Sequence, residues 1–295
     1  MSQVSSRSAS RRKKLRRAAL QAFLITMSVI WVLPIAWAIY TSFRPYDQTA
    51  TYGYVSIAGT YNLDNYVNSF NQGQLPMYFM NTVIILVPAV ILVLFLSSMM
   101  AFTVSRYSWR FNLIPLMVFS GANLLPPQVI ITPLFRMYLA IPMFAPLSDN
   151  GILYDQYIGI TLIHVAFQMG FCTFVLSNYM KTIPKALNEA AVVDGASVWK
   201  TYWTIILPLT RPALAALATL QVTWIYNDFF WALILMKTGA KYPITSALNN
   251  LQGEFFTNNN LVAAGSVLVA LPTLIVFFLL QKQFVSGLTL GSTKE

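Results

Sequence analysis

The stretch EAAVVDGASVWKTYWTIILPLTRP, Glu189 to Pro212, brings Glu189, Asp194 and Lys200 into a chain that is otherwise mostly hydrocarbon. On either side lie long apolar runs, Gln156 to Met180 and Pro212 to Met236. A water-compatible segment between two lipid-compatible ones reads as a place where the chain leaves a bilayer and turns back into it. Composition agrees: 57% of the residues are hydrophobic and 9% charged, too little polar surface for a soluble globule of this length. A bilayer core about 30 Å thick takes roughly 20 apolar residues, free of unpaired charge. Six stretches qualify: Ala18 to Phe43, Met77 to Ser105, Phe111 to Phe135, Gln156 to Met180, Pro212 to Met236 and Leu261 to Gln281. Only the fifth holds a formal charge, Asp228. The predicted fold is an all-α integral membrane protein with six transmembrane helices.

Orientation follows from the basic residues, because cytoplasmic loops keep an excess of Lys and Arg. Residues 1–17 carry Arg7, Arg11, Arg12, Lys13, Lys14, Arg16 and Arg17, which puts this tail inside. Six crossings over residues 18–284 then return the tail 285–295 to the same side, so both termini are expected to be cytoplasmic. The inside set gains Arg106, Arg110, Lys181, Lys185, Lys200, Arg211, Lys282 and Lys294. The outside loops hold Arg44, Lys237 and Lys241 beside Asp47, Asp64, Asp149, Asp155 and Glu254. The net charge of +10 therefore sits on one face, where it sets topology and meets anionic lipid; no nucleic-acid partner is expected. The basic tail, the apolar run and Ala36-Trp37-Ala38 also resemble a cleavable signal peptide. The run exceeds the roughly 7 to 15 residues of a signal core, and its removal would leave five spans, so it is read as a span.

Bond chemistry needs convergent groups, such as paired carboxylates, a Ser/His/Asp set or metal ligands at a workable spacing. None is visible in the spans. Cys172 and His164 are each the only residue of their kind, so no disulfide and no metal site is expected, and His164 is read as a packing residue. The dipeptide Gly-Lys does not occur, which excludes a Walker A phosphate loop. The sequence is not read as an enzyme. Nor do the spans carry the scattered acids and bases that ion-coupled carriers use as relays. Asp228 alone keeps that alternative open.

Within the quoted stretch, Pro184 suits the start of a short helix, on which Ala186, Ala190 and Val193 share one face. Gly195 permits a turn that other residues resist, and Ser197 is a candidate N-cap for a second short helix. There Trp199, Tyr202, Trp203 and Ile206 recur at helical spacing as an apolar stripe. Pro208 and Pro212 end that helix and begin the fifth span. The segment 184–208 is thus predicted to be helix, elbow, helix on the cytoplasmic side.

Glu189-Ala190-Ala191, Asp194-Gly195-Ala196 and Ile205-x-Leu207-Pro208 resemble the EAA signature of bacterial ABC importer permeases. The likeness extends to Asn62-Leu63-Asp64-Asn65-Tyr66, Phe70 and Asn81-Thr82, to Arg106-Tyr107, Pro126-Pro127 and Ile131-Thr132-Pro133-Leu134, to Trp224, Asn227-Asp228-Phe229 and Trp231, and to Gly287-Leu288-Thr289 with Gly291 and Lys294. In these the chain is similar to the G-like subunit of the maltose-type carbohydrate branch. Ala186 departs from the pattern, which usually has an acidic residue there.

The resemblance implies a type I importer permease of the bacterial inner membrane, moving a sugar by alternating access. It implies a second permease subunit, two cytoplasmic ABC ATPase subunits that bind ATP and Mg, and an extracytoplasmic solute-binding protein; no cofactor is expected in this chain. A non-sugar solute such as glycerol phosphate or a polyamine stays open. The implied ATPase-coupling residues are Glu189, Ala190, Ala191, Asp194, Gly195 and Ala196, joined by a tail of Gly291, Ser292, Thr293, Lys294 and Glu295 that reaches toward the ATPase. For Trp224, Asn227 and Asp228 two readings stand, lining the translocation path or packing and interfacial anchoring. The outer loop Lys237 to Asn260 is either an ordinary hydrated loop or, as the resemblance implies, a binding-protein contact through Asn249, Asn250, Gln252 and Gly253.

Overall fold

The computed structural model describes residues 2–57, 59–112, 114–122, 126–251 and 257–289. Along the chain these form α1 (Ser2–Ser42), α2 (Tyr46–Tyr52), α3 (Asp64–Gln72), α4 (Leu75–Arg106), α5 (Ile114–Ala122), α6 (Ile131–Ala140), α7 (Tyr157–Thr182), α8 (Ala186–Val193), α9 (Val198–Thr201), α10 (Leu207–Leu209), α11 (Arg211–Tyr226), α12 (Phe230–Leu235), α13 (Ile244–Ala247) and α14 (Asn259–Thr289). No strand occurs among the described residues. Two compact units emerge, Met1–Gly73 with Leu251–Leu268, and Gln74–Asn250 with Val269–Glu295.

In the first unit α1 runs without a break from the basic tail into the first apolar run, of which Lys13–Ser42 is long and apolar enough to cross a membrane. Just past its end Arg44 is fully buried. Its guanidinium donates to the Tyr54 carbonyl at 2.9 Å and Ser56 Oγ at 2.8 Å, and lies 5.4 Å from the Tyr40 ring centroid. Asn65 and Asn260 each donate to the Arg44 carbonyl, at 2.8 and 2.9 Å. A buried cation is tolerable only when hydrogen-bonded in this way. The knot fastens α3 and the start of α14 to the end of α1.

The second unit is organised by α4 and α7, both long and apolar enough to span. Their pairing has a direction. Tyr157 Oη donates to Asn81 Oδ1 at 2.8 Å near the two N-termini, Ser97 Oγ to the Met169 carbonyl at 3.2 Å midway, and Arg106 Nη2 to the Met180 carbonyl at 2.7 Å at the two C-termini. The helices therefore run parallel, so residues 107–156 must return from one end of the pair to the other. They do so in pieces. The expected crossing over Phe111 to Phe135 is not one rod: α5 ends at Ala122, a 3₁₀ turn follows at Pro127–Ile130, and α6 starts at Ile131. Pro126 and Pro127 account for the interruption, since neither can donate a helical hydrogen bond. At the far end Tyr138 Oη donates to the Gly159 carbonyl at 2.8 Å. A Cβ at Gly159 would lie 2.7 Å from the Leu153 carbonyl oxygen, so only glycine permits that approach.

The fifth expected span, Pro212 to Met236, is also broken. Helix α11 ends at Tyr226 and α12 begins at Phe230. Together they run antiparallel to α7, as two contacts along it and one just before its start establish: Gln221 Nε2 to Cys172 Sγ at 3.2 Å, His164 Nε2 to Asp228 Oδ2 at 3.6 Å, and the Asp155 N–H to the Leu235 carbonyl at 2.9 Å. Small buried residues, Ala89, Ala101 and Gly170 among them, let the spans approach, as intramembrane packing requires. Within α14, Asn259–Leu279 is the fourth single helix able to cross.

Candidate functional site

The candidate coupling segment begins where α7 stops at Thr182 and Pro184 bars a continued helix. Helix α8 closes with a glycine elbow. Gly195 sits at φ +71°, its N–H donates to the Val192 carbonyl at 3.0 Å, and the Ala196 N–H reaches back to Ala191 at 2.9 Å. This six-to-one plus five-to-two pair is the Schellman arrangement, which satisfies helix-end carbonyls and favours glycine at that position. Ser197 is the predicted N-cap, its Oγ accepting the Lys200 N–H at 3.2 Å. Val192 and Val193 stand 71% and 86% exposed, and Glu189, Ala190, Asp194 and Gly195 are exposed with them. Ala196 is half-buried, and Ala191 faces inward. The elbow therefore presents an apolar ridge with two carboxylates, with Ala191 buried on the opposite side.

The second half departs from the predicted amphipathic helix. After α9 the backbone widens into a π turn, Tyr202–Ile206, before α10. Pro208 explains it: its ring would crowd the carbonyl four residues back and it has no N–H to donate, a conflict that a π turn relieves. The expected stripe is split by this change of pitch, with Tyr202 and Ile206 buried and Trp199 and Trp203 exposed. A 72° bend then separates this part from α11.

At the break in the fifth span, Asp228 turns inward and caps α12, its two oxygens accepting the Trp231 and Ala232 N–H groups at 3.3 and 3.4 Å. Thr245 Oγ1 donates to the Asp228 carbonyl. Asn227 folds back onto its own helix, donating to the Thr223 carbonyl at 2.8 Å. Trp224 is 43% exposed beside Phe171, whereas Trp231 is buried between Phe167 and Phe230 and presents no free ring face. Of the three residues for which path-lining and packing were both open, Trp224 and Asn227 are accessible and Asp228 bonds across the break.

At the opposite end from the elbow, a latch that the sequence did not reveal fastens the root of the loop that follows α12. Asp155, buried and itself at φ +64°, accepts the backbone N–H groups of Lys237 at 2.8 Å and Thr238 at 3.0 Å, and the Thr238 hydroxyl at 2.5 Å. Burial alone would raise its pKa, but the bonds from Thr238 and Lys237 outweigh it and hold the carboxyl below the ordinary range. Lys241 Nζ bonds Asp149 Oδ2 at 2.7 Å and the Asp155 carbonyl at 2.9 Å. With Gln156 it draws Asp149 down to about 2. Asn81 donates to the carbonyls of Ala240 and Tyr242 at 2.8 and 3.1 Å. Polar loop residues gave no signal of this, because a solvated loop has the same composition. Beyond it, Asn249 and Asn250 lie in a 3₁₀ turn, Leu248–Leu251. Gln252, Gly253 and the tail Gly291 to Glu295 lie outside the described residues.

A bundle of apolar helices with broken third and fifth spans and an exposed helix-elbow-helix between the fourth and fifth defines a multi-pass membrane transport subunit. The chain belongs to the family described as the binding-protein-dependent transport system inner membrane component, which it matches over residues 4–289. It is 30% identical to a probable ABC transporter permease of Pyrococcus horikoshii, over 89% of this chain and 92% of that one. It is 27% identical to the diacetylchitobiose uptake system permease NgcG of Streptomyces coelicolor, covering 93% and 88% of the two chains. With the probable starch degradation products permease AmyC of Thermoanaerobacterium thermosulfurigenes the identity is 29%, over 95% and 100%. Among solved structures, a bacterial ABC transporter that imports the acidic polysaccharide alginate superposes with a TM-score of 0.78 at 21% identity, over 93% of this chain and 98% of that one, and shares the fold.

Proposed function

We propose that this protein is the membrane-spanning permease subunit of an ABC importer for a sugar or oligosaccharide, working with a second permease, two cytoplasmic ATPase subunits and an extracytoplasmic binding protein. The observation that carries the reading is the elbow at Gly195, which offers an exposed apolar and acidic ridge to a partner while its other side is rooted in the bundle. Relatives that take up diacetylchitobiose and starch products support the substrate class. A solved alginate transporter held with its periplasmic protein supports the binding-protein partner. The permease itself performs no bond chemistry. ATP closure of the partner subunits moves the elbow, and the spans alternate between inward-open and outward-open arrangements.

Two experiments test this. Glu189→Lys reverses an exposed charge on the ridge, and mispaired interface charges cost several kcal/mol. The variant is expected to insert normally yet retain much less ATPase subunit on purification in detergent. Wild-type retention would remove the ridge as the docking surface. Orientation is tested with single cysteines in a Cys172→Ser background. Ser197→Cys is expected to be shielded from an impermeant thiol reagent in intact cells and Asn259→Cys to react; the reverse pattern would invert the topology.

A further inference from the structure

We infer that α4 receives the stroke delivered to the coupling segment, because three of its residues grip that segment at both roots. Ser98, Phe102 and Arg106 recur at four-residue spacing and so form one stripe, about 12 Å long, on the cytoplasmic end of the helix. At the first root the Arg106 guanidinium donates to the Ile183 carbonyl at 2.9 Å and the Met180 carbonyl at 2.7 Å. Carbonyls at a helix C-terminus lack intrahelical partners and carry the negative end of the helix dipole. A two-pronged cation therefore fits them as a single ammonium does not. Ile183 is the residue before Pro184, from which α8 springs. At the second root, Ser98 Oγ and Tyr202 Oη lie 2.7 Å apart, both buried. The Phe102 ring fills the interval with its centroid 5.3 Å from that of Tyr202.

The inference rests on the docking reading above and adds a direction to it. Toward α7 and α4 the roots are clamped. Toward α11 the chain passes through the π turn and the 72° bend, where the helical ladder is interrupted and yields most easily. A displacement of α8 is thus carried first by α4 and its parallel partner α7; α11, whose Ala213 and Leu217 are buried in the same core as Phe102, is reached along the chain only through the bend. Arg106, Ser98 and Tyr202 act as positioning residues and need touch neither ATP nor sugar.

The test uses the assembled transporter with its ATPase subunits in liposomes, spin-labelled at Thr103→Cys on α4 and Lys200→Cys on α9 in a Cys172→Ser background. The label separation is measured by electron–electron double resonance with and without ATP and vanadate. In the parent the separation is expected to hold within about 2 Å, the scale of small helix shifts, because the two sites move as one body. In Arg106→Gln combined with Tyr202→Phe it is expected to change by more than that. Arg106→Lys, which keeps the charge and loses one prong, should lie between. Should the double variant fail to assemble, Tyr202→Phe alone, which removes one hydroxyl and keeps the ring, carries the same expectation at smaller amplitude. A parent separation that changes on ATP binding, or variants that match a rigid parent, would overturn the inference. Loss of the ATPase subunits from the labelled parent would overturn the docking reading itself, and shows before any distance is measured.

Discussion

Valine at position 195 is expected to abolish ATP-driven uptake while leaving the amount of permease in the membrane unchanged. The reason is backbone shape, not bulk. A Cβ at Gly195 would meet nothing within 4 Å, so the elbow has room for a side chain. Its φ of +71°, however, costs an ordinary residue about 1–2 kcal/mol, and a β-branched one is a genuine outlier there. If the residue relaxes to negative φ, the bonds from Gly195 to Val192 and from Ala196 to Ala191 are lost together and α9 swings away from α8. The series Gly195→Asn, Gly195→Ala, Gly195→Val separates shape from size. Asparagine tolerates the left-handed region and should retain most activity, alanine should be intermediate, and valine should be worst. Size alone would put alanine ahead of asparagine. The readouts are uptake and ATPase co-purification, each normalised to permease. Equal activity across the three would mean that the partner does not read the elbow.

The elbow was legible because it is local. A glycine following a helix-compatible run, then a serine before the next, states its geometry within a few residues. The long helices were legible for a similar reason, since apolar length is a one-dimensional property. Continuity of the backbone is not. Residues Phe111 to Phe135 and Pro212 to Met236 meet the hydropathy requirement as whole runs, yet Pro126-Pro127 and Asn227-Asp228 interrupt their ladders. Those pairs were the available signals, and a test of composition passes over them. Asp228 illustrates how one signal can serve several readings: a lone carboxylate in an apolar run was compatible with lining a path or with packing, and the structure adds a use that neither named, capping the helix that follows the break. Arg106 was counted toward topology, although its guanidinium also closes the end of α7. What escaped the sequence altogether are contacts between residues far apart in the chain, such as Asn81 with Ala240 and Asp155 with Thr238.

Asp155→Ala is expected to free the root of the outer loop, and the size of the effect follows from what the carboxylate holds. Removing it leaves the N–H groups of Lys237 and Thr238 without their acceptor, at about 1–3 kcal/mol for each buried group left unsatisfied. It also places alanine at φ +64°, which aspartate tolerates better, adding part of the about 1–2 kcal/mol that an ordinary residue pays there. A local loss of about 3 kcal/mol raises the open population by roughly two decades, and proteolysis tracks that population when opening is fast. Lys237 and Lys241 are themselves trypsin sites at the root, so cleavage there, applied from the outer face of sealed vesicles, reads the opening directly. Asp155→Asn is the discriminating control: it tolerates the left-handed backbone and keeps an oxygen for the two N–H groups, so cleavage should rise far less. Protonation, which likewise keeps an acceptor oxygen and the residue at φ +64°, should mimic the asparagine variant, with a definite sign. The carboxyl lies below its ordinary range, so the latch contributes fully above the unfolded value near 4 and is lost only as pH falls through the lower folded value. The loop should therefore stay fastened in mild acid and loosen below about pH 4. Cleavage in Asp155→Ala no faster than in the parent would mean that Asn81 and Lys241 hold the root without it.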